Sequence, residues 1–327
     1  MAKLNLQVVH GTNEGLDEKA ANENSSELKN VFLKDFGIHD ISRVFVDFGK
    51  ENRTVIMPVG FPSAGKSLLI SSLMFNARTC PNALFTTNLI NGFPFNGGRI
   101  AVDQMIRDFQ SGKLYAQTSG GALDLIGIHI EPTNKKAKLP LLKLAFLDLA
   151  GEDLQKIKTT EGATFTAKIN AVFNGLKVDN SPIVFVLITP FEPSKLSGES
   201  LKDAHHREDA LHYDFLNYIK MDQPQLLINS RFFVVVSQWD KNTNKNLKVE
   251  DFIKENRPSI YNYVQNTNVI WGEYSIGQLL TTTENSVMIS EIVRINHEYP
   301  YRFWKKLYQI CTNQDLDKKT WWNKITG

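Results

Sequence analysis

The residues Gly60-Phe61-Pro62-Ser63-Ala64-Gly65-Lys66-Ser67 follow the spacing G-x-x-x-x-G-K-[ST], and that spacing has a chemical purpose. Glycines let the backbone curl tightly, so that successive N–H groups face inward at phosphate oxygens. A lysine placed as Lys66 is reaches the β and γ phosphates, and a hydroxyl placed as Ser67 is ligates Mg²⁺. The loop has to leave a strand and open a helix, so that the helix N-terminus also faces the anion. Val55-Ile-Met-Pro-Val59 precedes it, and a helical run from Leu68 follows it. A chance match in a glycine-containing turn would not carry both flanks. Pro58 sits in the strand end, where it removes a backbone donor without touching the phosphate cradle.

A second group lies further on, in Leu144-Ala-Phe-Leu-Asp148-Leu-Ala-Gly151-Glu152. An Asp at the end of an apolar strand beside the phosphate-loop strand holds Mg²⁺ through water. A glycine shortly after it offers a backbone N–H to a γ-phosphate. Strand-end Asp and turn Gly are each common, and only their place after the phosphate loop makes them a pair.

These groups need a scaffold, and the periodicities supply one. Strands are expected at Val44–Phe48, Arg53–Val59, Leu123–Glu131, Leu141–Leu147, Ile183–Thr189, Phe232–Ser237 and from Asn268 through Trp271. Helices are expected at Ser67–Asn76, Ala101–Ser111, within Asp153–Leu176, and at Leu201–Tyr218, Glu250–Val264 and Ser286–Ile310, the last kinked at Pro300. Lys3–His10 reads as a short strand, and Gly11–Leu28 as a loosely packed arm. The alternation predicts an α/β protein with a three-layer P-loop NTPase sheet, mostly parallel. Only a short polar turn separates Leu123–Glu131 from Leu141–Leu147, which makes them one antiparallel edge hairpin. The expected division is an N-terminal extension over 1–50, a nucleotide-binding domain over 51–312 with an insertion at 78–117, and a tail over 313–327.

The ordered set resembles the TRAFAC class of P-loop GTPases, the translation-factor-related group that includes Ras-like and Arf-like proteins. Asp148-x-x-Gly151 is similar to its switch II, and the resemblance spans Arg53 to Cys311. It implies a switch I threonine that ligates Mg²⁺ just before the first hairpin strand. Thr118 in Gln117-Thr-Ser-Gly120 holds that place, with Thr86 and Thr87 as substitutes. It also implies guanine recognition by Asn-Lys-x-Asp, at whose position stands Ser237-Gln238-Trp239-Asp240. Asp240 would accept from the N1–H and exocyclic amine of guanine, and adenine lacks that donor pair. Gln238 would lie over the base without the charge of the usual lysine. Tyr274-Ser275-Ile-Gly277 is similar to the serine element whose backbone meets the guanine oxygen. More narrowly, the loop form Gly-Phe-Pro-Ser-Ala-Gly-Lys-Ser, with Phe109-Gln-Ser-Gly112 and Tyr299-Pro-Tyr-Arg302, resembles prokaryotic double-GTPase proteins of conflict and anti-phage systems. The resemblance implies bound GTP or GDP with Mg²⁺, and a protein partner or second GTPase.

Hydrolysis is where the pattern departs. Ras-like proteins carry a water-orienting Gln after the glycine, and here Glu152 follows Gly151. Glu152 either orients water or is a solvated loop acid. Tyr115 occupies the place of an in-cis arginine, leaving Arg99 and Arg107 as substitutes or surface charges. The catalytic set is thus Lys66, Thr118, Gly151 and Glu152, with slow turnover raised by a partner. A non-hydrolysing scaffold and an ATPase are the competing readings.

The remaining signals are bland. The 327 residues are 42% hydrophobic and 22% charged with a formal charge of +2, so no field draws the chain to nucleic acid or an anionic membrane. Cys80 and Cys311 are not in metal or redox spacing. Nothing reads as a signal peptide, a membrane span or a prenylation box, so a cytoplasmic protein is expected. His205 and His206 point about 100° apart on a helix and read as a solvated face. Tyr299, Tyr301, Trp304, Trp321 and Trp322 offer either a partner surface or packing for the last helix.

Overall fold

The computed structural model describes residues 33–79, 84–90, 97–112, 123–284 and 287–317. Its centre is a seven-stranded sheet in the order β2-β3-β4-β1-β5-β6-β7. The strands are β1 (Thr54–Val59), β2 (Phe85–Leu89), β3 (Leu123–Pro132), β4 (Leu142–Leu149), β5 (Ile183–Pro190), β6 (Ser230–Ser237) and β7 (Val269–Glu273). Pairing is parallel from β4 through β1, β5 and β6 to β7. β3 runs against both β4 and β2, so the expected hairpin is present. β2, which the sequence did not reveal, is added outside it.

Both faces of the sheet are covered, which is why its strands read as continuous apolar runs. Along β5, Ile183, Phe185 and Leu187 enter one core, while Val184, Val186 and Ile188 enter the other. The first core is closed by α1 (Ile38–Lys50), α5 (Ala163–Val178), α6 (Leu201–Asp222), α7 (Val249–Asn256) and α8 (Pro258–Val264). The second is closed by α2 (Lys66–Thr79), α3 (Gly97–Gln110) and α9 (Glu298–Thr312). A short helix, α4 (Gly151–Gln155), leaves the end of β4.

Three expectations are corrected. The strand expected at Val44–Phe48 is part of α1, whose buried residues Ile41, Val44, Phe45 and Phe48 repeat at helical spacing. The single helix over Glu250–Val264 breaks at Arg257, which precedes Pro258 and has φ −139° and ψ 57°, outside the helical region that a proline disfavours for its predecessor. The long helix over Ser286–Ile310 is instead a strand followed by a helix. β9 (Val287–Ile295) pairs antiparallel with β8 (Gly277–Glu284) as a separate ribbon, and Pro300 falls in the first turn of α9, where its missing donor is harmless. Lys3–His10 and Gly11–Leu28 lie outside the described residues.

Pro58 also has a physical account. Val55 N–H donates to Pro182 O on the β5 side at 3.1 Å, so by alternation residue 58 faces β4. The β1–β4 ladder ends at Ile56↔Phe146. The missing donor of Pro58 therefore falls beyond the last rung.

Candidate functional site

The carboxyl ends of β1, β4, β6 and β7 open on one edge of the sheet, beside the point where the chain switches from one side of β1 to the other. Open α/β sheets bind ligands at such a place. Gly60 leaves β1, and α2 begins at Lys66. Between them Ser63 (φ 70°) and Gly65 (φ 83°) take left-handed conformations, which curl the loop. The Ala64 N–H closes a turn onto Phe61 O at 3.0 Å, and Leu69 N–H donates to Gly65 O at 2.9 Å as the helix starts. Ser237, at the end of β6, donates its hydroxyl to Ala64 O at 2.7 Å. The residue in the expected Asn position thus supports the phosphate loop directly.

Lys66 and Asp148 meet as a buried ion pair, with side chains 5% and 2% exposed. The residue proposed for phosphate and the residue proposed for the cation therefore share one point. Ser67 stands half-buried in the first turn of α2. Gly151 packs onto the back of the phosphate loop. A Cβ there would lie 2.8 Å from Gly60 O and 3.1 Å from the Phe61 carbonyl carbon, so only glycine allows this approach. Glu152, one residue on, is exposed.

At the other end, Gln238 adopts a left-handed conformation (φ 57°, ψ 32°), turning the chain so that Gln238 and Asp240 follow directly on β6. The Gln238 side-chain oxygen is buried and has no hydrogen-bond partner among the described residues. The Trp239 N–H donates to Tyr274 O at 3.0 Å, tying this loop to the end of β7. Ser275 is buried, and its hydroxyl oxygen accepts from the Gly277 N–H at 3.3 Å. A cleft of about 940 Å³ runs between these elements, lined by Gly65, Leu68, Ser237, Gln238, Asp240 and Ser275. The ribbon and the start of α9 close its far wall through Gln278, Arg294, Asn296, His297 and Glu298. Sequence reasoning missed that wall because it placed Arg294 to Glu298 inside a helix. The β-branched residues Val287, Ile289, Ile292, Val293 and Ile295 were the available signal.

Other expected residues stand elsewhere. Thr118 lies outside the described residues. Thr86 and Thr87 are on β2. The Thr87 hydroxyl donates to Ala77 O at 3.1 Å, near the far end of α2 and about 16 Å along it from Lys66. Arg99 is 3.7 Å from Asp103, which also pairs with Arg78 at that same far end. Arg107 donates to Gln104 at 2.8 Å on the exposed surface of α3. Neither arginine is among the residues that line the cleft beside Gly65. Trp304 is fully buried, and Tyr301 stacks on Phe85 with centroids 5.7 Å apart, so these aromatics pack α9. Trp321 and Trp322 lie outside the described residues.

The solvated face expected for His205 and His206 is half right: His206 is exposed, but His205 is buried. It contacts the guanidinium of the fully buried Arg257, which also donates to Thr189 Oγ1 at 2.7 Å and Pro190 O at 3.2 Å. Burial and this arginine push the His205 imidazole down to about 4. Two turns on, burial pushes His212 down to about 4 as well. His212 lies edge-on to Phe61 of the phosphate loop, centroids 4.9 Å apart. Asp209 caps α8, accepting from the Ser259 N–H at 3.1 Å. A charged, buried layer thus stands behind the phosphate loop.

No family model and no curated protein matches the chain. Among solved structures it is similar to a dimerization-deficient mutant of Toc33 from Arabidopsis thaliana, at 11% identity over 84% of this chain and 91% of that one, with a TM-score of 0.36.

Proposed function

We propose that the chain is a GTP-binding regulatory protein that hydrolyses GTP slowly until a partner protein accelerates it. The observation that carries the reading is the single cleft joining Gly65 and Leu68 to Gln238, Asp240 and Ser275. A phosphate cradle and a base-reading carboxylate on one cleft are what a nucleotide requires.

The donor set fits a nucleotide and its cation. Gly60 to Gly65 and the first turn of α2 would receive the phosphates. Lys66 would turn from Asp148 to the β and γ phosphates, freeing that carboxylate. Ser67, Asp148 and Thr118 would hold Mg²⁺, which when bound neutralises charge on the phosphates. Gly151, held against the loop, would present its N–H to the γ-phosphate. Gln238 would lie over the base, Asp240 would accept from its N1–H and amine, and Ser275 would border the base oxygen. The buried, unpartnered oxygen of Gln238 is an acceptor that a bound ligand would satisfy. The γ-phosphate would order the segments around Thr118 and Gly151, and a protein partner or second GTPase would read that order.

Slow turnover is supported by the surroundings of Glu152. It is exposed, and the two arginines expected as substitutes are engaged elsewhere, Arg99 with Asp103 and Arg107 with Gln104. A partner would then supply the stabilising charge. The same exposure favours a second reading, a binding protein that does not hydrolyse. Steady-state phosphate release below about 1 per second from the lone chain is expected, and Glu152→Ala separates the two readings, since only an enzyme has turnover to lose. We place the protein in the cytoplasm, and the form of its phosphate loop suggests a conflict or anti-phage system.

The deciding experiment is the nucleotide that co-purifies, followed by titration with GDP and ADP in the presence of Mg²⁺. Bound guanine nucleotide is expected, and bound ATP with equal affinity for ADP overturns the reading. Among the described residues no helix is long and apolar enough to cross a membrane.

A further inference from the structure

We infer that Tyr274 is a positioning residue for base recognition: it clamps the base-reading loop to the helix that carries the phosphate lysine. The inference rests on the guanine reading above and deepens it.

Tyr274 is 1% exposed and stands at the carboxyl end of β7. Three bonds from this residue join three elements. Its N–H donates to Val236 O at 2.9 Å, near the end of β6. Its carbonyl accepts from the Trp239 N–H at 3.0 Å, between Gln238 and Asp240. Its hydroxyl bonds Ser72 Oγ on α2. The Ser72 proton goes to Leu69 O at 3.0 Å, so the phenol is the donor and Ser72 the acceptor. The ring lies edge-on to Phe303, at 6.0 Å and 88°, and has no freedom to swing away. Burial also raises the phenol above its ordinary range, which keeps the donor proton in place.

The geometry separates two jobs. The phosphate loop has its own supports in Gly151, Ser237 and the first turn of α2. The base loop follows Ser237, which ties its start to the phosphate loop, and the Trp239 N–H adds a second tie, between Gln238 and Asp240, that sets how these two stand relative to Lys66. Tyr274 makes that connection through α2, the helix that begins at Lys66. Removing its hydroxyl therefore loosens the placement of Asp240 relative to the phosphates while leaving the cradle intact. The expected signature is a loss of base discrimination without a loss of phosphate affinity.

The test uses the full chain with Tyr274→Phe, Ser72→Ala and the double variant. Tyr274→Phe keeps the ring packing, so it folds even where Ser72→Ala does not. Equilibrium titrations with GDP, IDP, ADP and inorganic tripolyphosphate are read beside the thermal midpoint. IDP lacks the exocyclic amine that Asp240 would accept. The preference for GDP over IDP and ADP is expected to fall about fivefold in either single variant, the effect of one hydrogen bond. The double variant should fall no further, because both changes remove the same bond. Tripolyphosphate affinity should not move. An unchanged preference with a lowered thermal midpoint overturns the inference and makes the bond purely structural, as does additivity in the double variant. Equal binding of ADP and GDP by the unaltered chain overturns the guanine reading itself, and the inference with it.

Discussion

At the phosphate end of the cleft, Gly151 stands where a Cβ would come within 2.8 Å of Gly60 O, and Lys66 and Asp148 are buried together. At the base end, Asp240 is exposed and Gln238 half-buried on a turn after β6. The first is shaped by backbone against backbone, which leaves a substitution nowhere to go. The second is shaped by side chains on a loop, which leaves room to vary the chemistry. On the proposed reading, the base end is accordingly where the chain departs from the expected Asn-Lys-x-Asp, with Ser237 and Gln238 at the places of Asn and Lys. Ser237 keeps part of the role by bonding Ala64 O.

The contrast can be broken most forcefully at Gly151. Gly151→Val should abolish triphosphate binding, a loss above 100-fold and about 2 kcal/mol or more in stability, measured by titration and urea unfolding. Wild-type affinity in that variant would dissolve the distinction between the two ends. Next, Lys66→Ala breaks the buried ion pair with Asp148 and should cost about 3 kcal/mol. Adding Asp148→Asn should recover most of the stability and none of the nucleotide binding.

Acid should weaken the layer behind the phosphate end. Burial holds His212 at about 4, against about 6.5 in the unfolded chain. As the pH falls through that window the unfolded chain takes up a proton that the folded chain refuses. The contribution is thus complete above about pH 6.5 and lost toward pH 4, about 3 kcal/mol in all. His205 is held as low, so His212→Gln should reduce, without abolishing, the pH slope of the unfolding midpoint between about pH 4 and 6.5. At the base end, Asp240→Asn should lower GTP affinity about 100-fold and raise that for xanthosine triphosphate, with the fold unchanged. The smallest effect is expected where the two ends touch. Ser237→Ala should cost about 1 kcal/mol, weakening all nucleotides alike without altering base preference.

What was legible in the sequence follows from how local each feature is. Gly60 to Ser67 is one turn of chain, and its neighbours in sequence are its neighbours in space. Asp148 was legible because an apolar strand ends on it. The strand expected at Val44–Phe48 came from a window too short to show the stripe Ile41, Val44, Phe45 and Phe48. The ribbon was hidden because Ser286 to Ile310 carries apolar residues throughout, and only the β-branched Val287, Ile289, Ile292, Val293 and Ile295 of its first half favour a strand. Arg257 and His205 were out of reach altogether. A charged residue looks exposed until distant elements supply Thr189 and Pro190 as its partners.

The proline in β1 has a mechanical consequence. The last rung between β1 and β4 is Ile56↔Phe146, while Leu147, Asp148 and Leu149 are paired to Leu125, Asp124 and Leu123 of β3. The final stretch of β4 is stitched to β3 and unstitched from β1. Sliding Asp148 toward or away from the phosphate loop therefore shears no ladder bond to β1, and it drags the opening residues of β3 along. A shift at Asp148 would therefore be carried to Asp124 and Leu123, its neighbours on β3, before it strained the ladder to β1.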